Sequence, residues 1–233
     1  MATWAITGAN RGIGLALVSD VLRRGDSVMA CAREPAKAEA LAAQKDRHGD
    51  RLTVLPLDVT SPDSVAAAAK AVTKPIDILV NNAGIFGPRE SDNPGQGALD
   101  MDFEAFAEVL AVNTLGPLRV SQAFLPHVTN AKGKIITITS RMGSLAGSSD
   151  GAIAYRASKA AVNKVMLGFA DAIRPRGIPV LLVHPGWVQT DMGGTGADIT
   201  TAESVAGIIE LADRLDMTIS AQFRNYDGSP IAW

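Results

Sequence analysis

The sequence predicts a single doubly wound α/β domain, in which helices cover both faces of a central parallel sheet of about seven strands. Short apolar runs alternate with amphipathic, alanine-rich segments along the whole chain, which is the pattern of successive strand–helix units. The apolar runs are nearly continuous, and this is typical of strands covered on both faces. The length of 233 residues fits one such domain, and no linker or repeat divides it, so the domain spans residues 1–233.

The individual elements follow from where the apolar runs and the helical patterns fall. The predicted strands are residues 4–7, 27–31, 52–57, 76–80, 134–139, 178–183 and 218–223. The predicted helices are residues 12–24, 35–46, a segment that begins at Pro62, 103–124, 153–173 and 202–215. Pro62 suits a first helical turn because an N–H there would have no partner in the helix. The Gly/Pro/Asp-rich stretch 87–97 follows the fourth strand, so we expect it at the edge of the sheet where ligands bind.

Composition and charge exclude several classes of protein. Apolar residues make up 47% of the chain and the formal net charge is −2, with no basic stripe to attract nucleic acid or an anionic membrane. No apolar stretch is long enough to span a bilayer, and no leader pattern opens the sequence, so we expect a cytoplasmic protein. Cys31 is the only cysteine and lies in an apolar run, which favours a buried side chain over a reactive thiol. The three histidines lack ligand spacing, so no metal site is expected.

A glycine-rich turn follows the first strand and opens the first helix. Such glycines let the backbone turn tightly and approach a pyrophosphate, while the helix N-terminus offers free N–H groups. The alternative is that these glycines only form a tight turn between the first strand and the first helix. The first strand–helix unit is the usual place for dinucleotide binding, so we interpret this loop as cofactor-binding. Its candidate residues are Gly8, Asn10, Arg11, Gly12, Ile13 and Gly14.

The end of the second strand bears on the choice between NADP and NAD. An acidic residue there would accept hydrogen bonds from the ribose 2′-hydroxyl of NAD, but Ala32 and Arg33 occupy this place. Arg33 and Arg11 are suited to clamp a 2′-phosphate, because guanidinium binds phosphate in bidentate fashion. The sequence therefore favours NADP. NAD remains an alternative cofactor, since the Glu34 carboxylate is a possible partner for the 2′-hydroxyl. A second alternative is that Arg11 and Arg33 are exposed to solvent and bind no phosphate.

Six short motifs occur in one order and on the expected elements. They are the glycine loop, Asp58-Val59, Asn81-Asn82-Ala83-Gly84, Asn113, Ser140 with Tyr155-x-x-x-Lys159, and Pro185-Gly186-Trp187-Val188-Gln189-Thr190. Together they resemble the classical short-chain dehydrogenase/reductase family over nearly the whole chain. The segments 140–144, 155–159 and 226–228 are most similar to its C-factor-like and carbonyl-reductase-like branch.

The resemblance implies a Rossmann-type fold that binds a nicotinamide dinucleotide, and it assigns roles to the motifs. Asp58 and Val59 would hold the adenine, and Lys159 would bind the nicotinamide ribose. Asn113 would hold a water that links Lys159 to solvent. The remaining cofactor-binding residues that it implies are Asn82, Ala83, Gly84, Tyr155, Pro185, Gly186, Trp187, Val188 and Thr190.

Tyr155 and Lys159 are four residues apart on a predicted helix, so their side chains project from one face. Alone, this pair is equally typical of a helix surface. Beside Ser140 and Asn113 it indicates catalysis, with Tyr155 as general acid or base. We expect Lys159 and the positive nicotinamide to lower the phenol pKa, and Ser140 to hydrogen-bond the substrate oxygen. Ser144 is a second candidate hydroxyl.

The separation between Ser140 and Tyr155 is slightly longer than the family's common spacing, and we assign the extra residues to a loop at 147–151. We expect an apolar carbonyl or alcohol as substrate, since the side chains available to line its pocket are Phe86, Met142, Leu145, Trp187 and Met192. Packing in the core explains these side chains equally well. The resemblance implies a homodimer or homotetramer that associates through helices 103–124 and 153–173, although packing on the sheet explains their apolar residues equally well. The alternative function is a dinucleotide-binding signalling or regulatory protein on the same fold.

Overall fold

The structure is a computed structural model that describes residues 1–88, 97–147, 149 and 151–233. Seven parallel strands form one sheet in the order β3-β2-β1-β4-β5-β6-β7. The strands are β1 (Thr3–Thr7), β2 (Ser27–Ala32), β3 (Leu52–Pro56), β4 (Ile78–Asn81), β5 (Lys134–Ile138), β6 (Val180–His184) and β7 (Gln222–Asn225). The predicted doubly wound α/β fold is confirmed. The order of the strands reverses between β1 and β4, where the loops after the two strands diverge and open a crevice.

Helices connect the strands and cover both faces of the sheet. They are α1 (Gly12–Arg23), α2 (Glu39–His48), α3 (Pro62–Ala71), α4 (Phe103–Leu110), α5 (Gly116–Ala131), α6 (Ile153–Ile173) and α7 (Thr201–Arg214). Side chains cap several helix starts; Thr200 and Glu203 form a capping box at α7, and Asp102 accepts two main-chain N–H bonds at α4. Within the described ranges, no helix is both long and apolar enough to cross a membrane.

Each face of the sheet has its own hydrophobic core. On one face α1 and α7 pack over Trp4 and Ile6, and on the other α5 and α6 pack over Leu79 and Ile135. Cys31 is buried in the second of these cores, and burial raises the pKa of its thiol to about 12. The expectation of a buried cysteine is confirmed.

Several predicted boundaries were wrong, for local reasons. The segment 35–46 divides into a 3₁₀ turn, Pro35–Lys37, and helix α2. The last strand begins at Gln222 and not at 218, because the Asp216 carboxylate accepts bonds from the N–H groups of Thr218 and Ile219 and bends the chain there. Strands β4 and β6 begin two residues later than expected.

The long helical segment also differs from the prediction of one helix over 103–124. It continues to Ala131, and a π-helical turn at Ala111–Leu115 interrupts it. The turn contains Asn113, one of the predicted catalytic residues. Single π turns inside helices occur frequently at functional sites, and this one joins α4 to α5 beside the crevice.

Candidate active site

A cleft of about 790 Å³ opens at the carboxyl edge of the sheet, over the point where the strand order reverses. The loops after β1 to β4 form one side, and Tyr155 and Lys159 of α6 lie on the other. Most of the predicted site residues line it together. These are Gly8, Asn10, Arg11, Gly12, Ile13, Arg33, Asp58, Val59, Asn82, Ala83, Gly84, Tyr155, Lys159, Pro185 and Thr190.

The glycine loop is shaped by close main-chain contacts. Gly8 has φ +62° and Gly12 has φ +53°, a region that side chains disfavour. A Cβ on Gly14 would lie 2.2 Å from the Gly8 carbonyl oxygen, so the turn has no space for a side chain there. Among the described residues, no side chain caps the N-terminus of α1 and its first turn has no acidic residue. The free N–H groups of this helix end fit a pyrophosphate.

Thr7 and Asn82 fasten the glycine loop to the loop after β4. The Thr7 hydroxyl accepts the N–H groups of Asn82 and Ala83, each at 3.0 Å. The Asn82 side-chain amide donates to the carbonyl oxygens of Thr7 at 2.9 Å and Gly8 at 3.1 Å. Asn82 therefore shapes the cleft by holding another loop. Thr7 was missed at the sequence level, because its role depends on residues about 75 positions away.

Two cationic side chains follow β2. Arg33 and Lys37 line the cleft, as does Arg11 of the glycine loop, and Lys37 forms an ion pair with Glu34. This pairing, followed by the nearby Arg33 charge, lowers the pKa of Glu34. Arg11 lies 3.9 Å from Asp191 across the cleft. Lys37 was missed, although the i,i+3 spacing from Glu34 was a sequence signal that could have found this pair.

Asp58 and Val59 lie after β3, at the far end of the cleft. The Asp58 carboxylate accepts bonds from the N–H and the hydroxyl of Thr60, at 2.8 and 2.7 Å. Burial works to raise the pKa of Asp58, but the Thr60 bonds and the charges of Arg33 and Arg119 outweigh it, and the pKa is lowered. Asp58 is therefore an ionised acceptor at the cleft wall.

Tyr155 and Lys159 lie at the floor of the cleft, and Ser140 lies next to Tyr155 just outside the lining. Tyr155 is 9% exposed and Lys159 is 5% exposed, and the Lys159 Nζ lies 5.7 Å from the centre of the Tyr155 ring. Nζ donates to the Ile138 carbonyl oxygen at 3.0 Å. Ser140 is hydrogen-bonded to Tyr155, and its Oγ accepts the N–H of Met142 at 3.1 Å. The helix-surface interpretation of Tyr155 and Lys159 is excluded, because both side chains are buried.

The pKa values of this group differ from the expectation. Burial raises the pKa of Tyr155, and the bond from Ser140 only partly offsets it. Burial also lowers the pKa of Lys159 to about 8. The expectation that Lys159 lowers the phenol pKa was wrong for the protein alone, because the same burial that disfavours the phenolate also disfavours the ammonium.

Asn113 ties three parts of the site together. Its side-chain oxygen accepts the Ile85 N–H at 2.9 Å, and its amide donates to the Ile85 carbonyl oxygen at 2.8 Å and to Ser158 Oγ at 3.0 Å. Ser158 in turn donates to the Tyr155 carbonyl oxygen at 2.7 Å. The Asn113 side chain thus connects the loop after β4 to the helix that carries Tyr155.

The other predicted residues lie outside the lining that the described residues form. Gly186 and Val188 pack behind the cleft, and Trp187 is 52% exposed and donates to the Gly193 carbonyl oxygen. Of the expected pocket residues, Phe86 and Met192 line the cleft, whereas Leu145 is 82% exposed at its mouth. Met142 also lies outside the lining, and Ser144 accepts the Ala146 N–H in a local turn. Most of the stretch 87–97 and part of the loop 147–151, at residues 89–96, 148 and 150, lie outside the described residues.

The fold and the site together define an oxidoreductase domain built around a dinucleotide-type glycine loop and a buried Ser–Tyr–Lys group. The chain belongs to the short-chain dehydrogenase/reductase family: the family model described as short chain dehydrogenase matches residues 2–199.

Similar proteins and solved structures support the assignment of this chain to the carbonyl-reductase-like branch of the family. The C-signal protein of Myxococcus xanthus is 41% identical over 170 residues, which cover 72% of this chain and 99% of that protein. The NADPH-bound carbonyl reductase from chicken fatty liver is 34% identical with a TM-score of 0.90, over 100% of this chain and 99% of that one. A carbonyl reductase from Pseudomonas aeruginosa in complex with NADP is 32% identical with a TM-score of 0.85, over 100% of both chains.

Proposed function

We propose that this protein is an NADP(H)-dependent carbonyl reductase, which transfers a hydride between the nicotinamide and a carbonyl or alcohol substrate with Tyr155 as general acid or base. One observation carries the proposal. Tyr155, hydrogen-bonded to Ser140 and close to Lys159, lies buried in the same cleft whose other end is the glycine loop. The cleft therefore offers a proton donor and a dinucleotide site on one continuous surface.

The proton that a carbonyl reduction needs is present on Tyr155. A tyrosine phenol is protonated at neutral pH, and burial of Tyr155 favours the same form, so this group holds a proton that it can give to a carbonyl oxygen. Ser140 would steady the charge on that oxygen. The bound nicotinamide supplies the hydride that the carbonyl carbon accepts. Lys159, with a pKa of about 8, holds a proton that is exchangeable near neutral pH.

The cations around the loop after β2 support NADP over NAD. Arg11, Arg33 and Lys37 line the cleft that also contains the glycine loop, and their charges suit a 2′-phosphate. The Glu34 carboxylate, which would serve NAD, is already paired with Lys37. The carbonyl reductases from chicken fatty liver and Pseudomonas aeruginosa contain NADPH and NADP, respectively.

The remaining parts of the cofactor have matching surfaces. Asp58 and Val59 would hold the adenine, Lys159 the nicotinamide ribose, and Pro185 and Thr190 would face the nicotinamide. The substrate would enter beside Phe86, whose ring centre lies 4.8 Å from that of Tyr155, and this favours an apolar carbonyl compound. The expected homodimer or homotetramer stays a prediction.

A second candidate is a signalling or regulatory protein that binds the dinucleotide. The identity with the C-signal protein favours it. The buried Tyr155 and Ser140 argue for chemistry, since binding of a dinucleotide alone does not need a proton donor at the cleft floor.

A panel of aldehydes and ketones, tested with NADPH, separates the two. The enzyme proposal predicts NADPH oxidation by the wild-type protein with at least one apolar carbonyl, and loss of that activity in Tyr155→Phe. Tight NADPH binding without turnover on any carbonyl would favour the signalling role. Turnover that Tyr155→Phe leaves intact would refute the assigned role of Tyr155.

A further inference from the structure

The helical segment 111–119 contacts two of the loops that line the cleft. Near its start, Asn113 holds the loop after β4 through the main chain of Ile85. Near its end, the segment meets the loop after β3. There, a Cβ on Gly116 would lie 2.9 Å from Val59 Cγ2, so the helix backbone approaches Val59 as closely as a glycine allows.

Arg119 makes the one polar contact between this helix and Val59. Its Nη1 donates a hydrogen bond to the Val59 carbonyl oxygen, across 60 positions of sequence. A charged donor makes this bond stronger than a bond between neutral groups. The Arg119 side chain is half-buried and lies outside the cleft lining that the described residues form, whereas Val59 lines the cleft. Arg119 therefore touches the cleft wall from behind.

The neighbouring main-chain groups of this loop are already engaged locally. The Asp58 N–H donates to Ser64 Oγ at 2.9 Å, and the Asp58 carbonyl oxygen accepts the Ser61 N–H at 3.2 Å. Among the described residues, nothing accepts from the Val59 N–H, so this donor remains for a ligand at the cleft wall. Arg119 thus holds the Val59 carbonyl group, and Gly116 packs against the Val59 side chain.

We propose that Arg119 is a positioning residue that fixes Val59, and through it the adenine-binding wall of the cleft. This inference rests on the proposed cofactor role of the cleft. Its charge has a second effect in the same place, because it favours the ionised form of Asp58. Arg119 acts on the adenine end alone, whereas Arg33 and Lys37 act on the 2′-phosphate. Loss of Arg119 therefore weakens every adenine-containing ligand equally.

The test compares binding of four probes to the purified full-length wild-type protein, Arg119→Gln and Arg119→Lys by titration calorimetry. The probes are NADPH, NADH, ADP-ribose and reduced nicotinamide mononucleotide, which lacks the adenine. In Arg119→Gln we expect the dissociation constants of the first three to rise together by about tenfold, the size expected when a hydrogen bond to a charged group is lost. The mononucleotide should bind as it does to wild type, and Arg119→Lys should recover part of the loss.

Two controls keep the result interpretable. Arg174→Gln removes an exposed arginine at the end of α6, on the opposite edge of the sheet, and should leave all four constants unchanged. Gly116→Ala perturbs the same contact independently and should reproduce the pattern of Arg119→Gln. Wild-type-like affinity of Arg119→Gln for NADPH would overturn the inference and leave the reductase proposal intact, as would a loss confined to NADPH or shared by the mononucleotide. A wild-type protein that binds none of the dinucleotides would overturn both proposals.

Discussion

The cleft has two parts that are held in different ways. The glycine-loop half comprises the loops after β1 to β4, and contacts between residues far apart in sequence fix it, such as the bonds of Thr7 to Asn82 and of Arg119 to Val59. The mouth comprises residues 140–147 and 185–194. Its exposed loops make local contacts, such as those of Trp187 to Gly193 and of Ser144 to Ala146, whereas its buried ends are bonded to α6 and α7 through Ser140 and Pro185. Leu145 and Trp187 are exposed there.

Because of this difference, the fold fixes the geometry of the glycine-loop half strongly, whereas the exposed side chains of the mouth are free to vary. Long-range contacts make the glycine-loop half part of the folded core, so its geometry is preserved as long as the domain folds. The mouth is free to change its side chains at small cost to stability, because exposed residues with local contacts contribute little to it. We infer that the reaction class depends on the first part and the choice of substrate on the second.

Ser140 lies where the two parts meet, and its removal should have the largest effect among the variants considered next. Ser140→Ala removes the hydroxyl proposed to stabilise the substrate oxygen, so we expect kcat to fall by roughly 100- to 1,000-fold. Steady-state rates of NADPH oxidation measure this. Ser144→Ala is the matched control, since its hydroxyl serves a local turn, and its kcat should stay within about twofold of wild type. Equal losses in both variants would show that the assignment to Ser140 is mistaken.

Arg33 should distinguish the two cofactors. Arg33→Ala removes a charged partner of the proposed 2′-phosphate, so the dissociation constant of NADPH should rise by about tenfold or more while that of NADH stays nearly constant. Fluorescence titration with both cofactors measures the ratio. If both affinities fall equally, the 2′-phosphate does not bind at Arg33.

The buried Lys159 makes stability depend on pH. Its pKa is about 8 in the folded protein against an ordinary value of 10.5, so above pH 8 the unfolded chain binds more protons than the folded one. The free energy of unfolding should therefore gain about 1–2 kcal/mol from this group between pH 8 and pH 10. Urea titrations of wild type and Lys159→Met isolate it from other groups, because the variant should lack this gain. Parallel pH curves for the two proteins would contradict the shifted pKa.

Lys37 should have the smallest effect, and it acts through Glu34. Lys37→Ala leaves the Glu34 carboxylate unpaired near the proposed 2′-phosphate, so NADPH affinity should fall by about threefold to tenfold. In a Glu34→Gln background the same change should cost clearly less, because the repelling charge is gone. A double-mutant cycle on NADPH binding measures this coupling. Additive effects of the two substitutions on NADPH affinity would show that Lys37 acts independently of Glu34.

The sequence was sufficient where the signal is local. Continuous apolar runs located all seven strands, and the glycine spacing with Tyr155-x-x-x-Lys159 identified residues that the fold brings into one cleft. The contributions of Thr7 and Arg119 escaped prediction, because each depends on a partner that only the folded chain brings close. For the protein without cofactor, the pKa shift of Tyr155 is opposite to the expected one, because burial disfavours the phenolate.

The central claim is that Tyr155 supplies the proton while the cofactor supplies the hydride. The most direct test is a single turnover in a stopped-flow instrument, in which protein saturated with NADPH is mixed with an apolar ketone or aldehyde and the loss of NADPH absorbance is followed. The account predicts a fast phase in wild type that slows by about 100- to 10,000-fold in Tyr155→Phe, the range for loss of a general acid. A fast phase of equal rate in both proteins would contradict it.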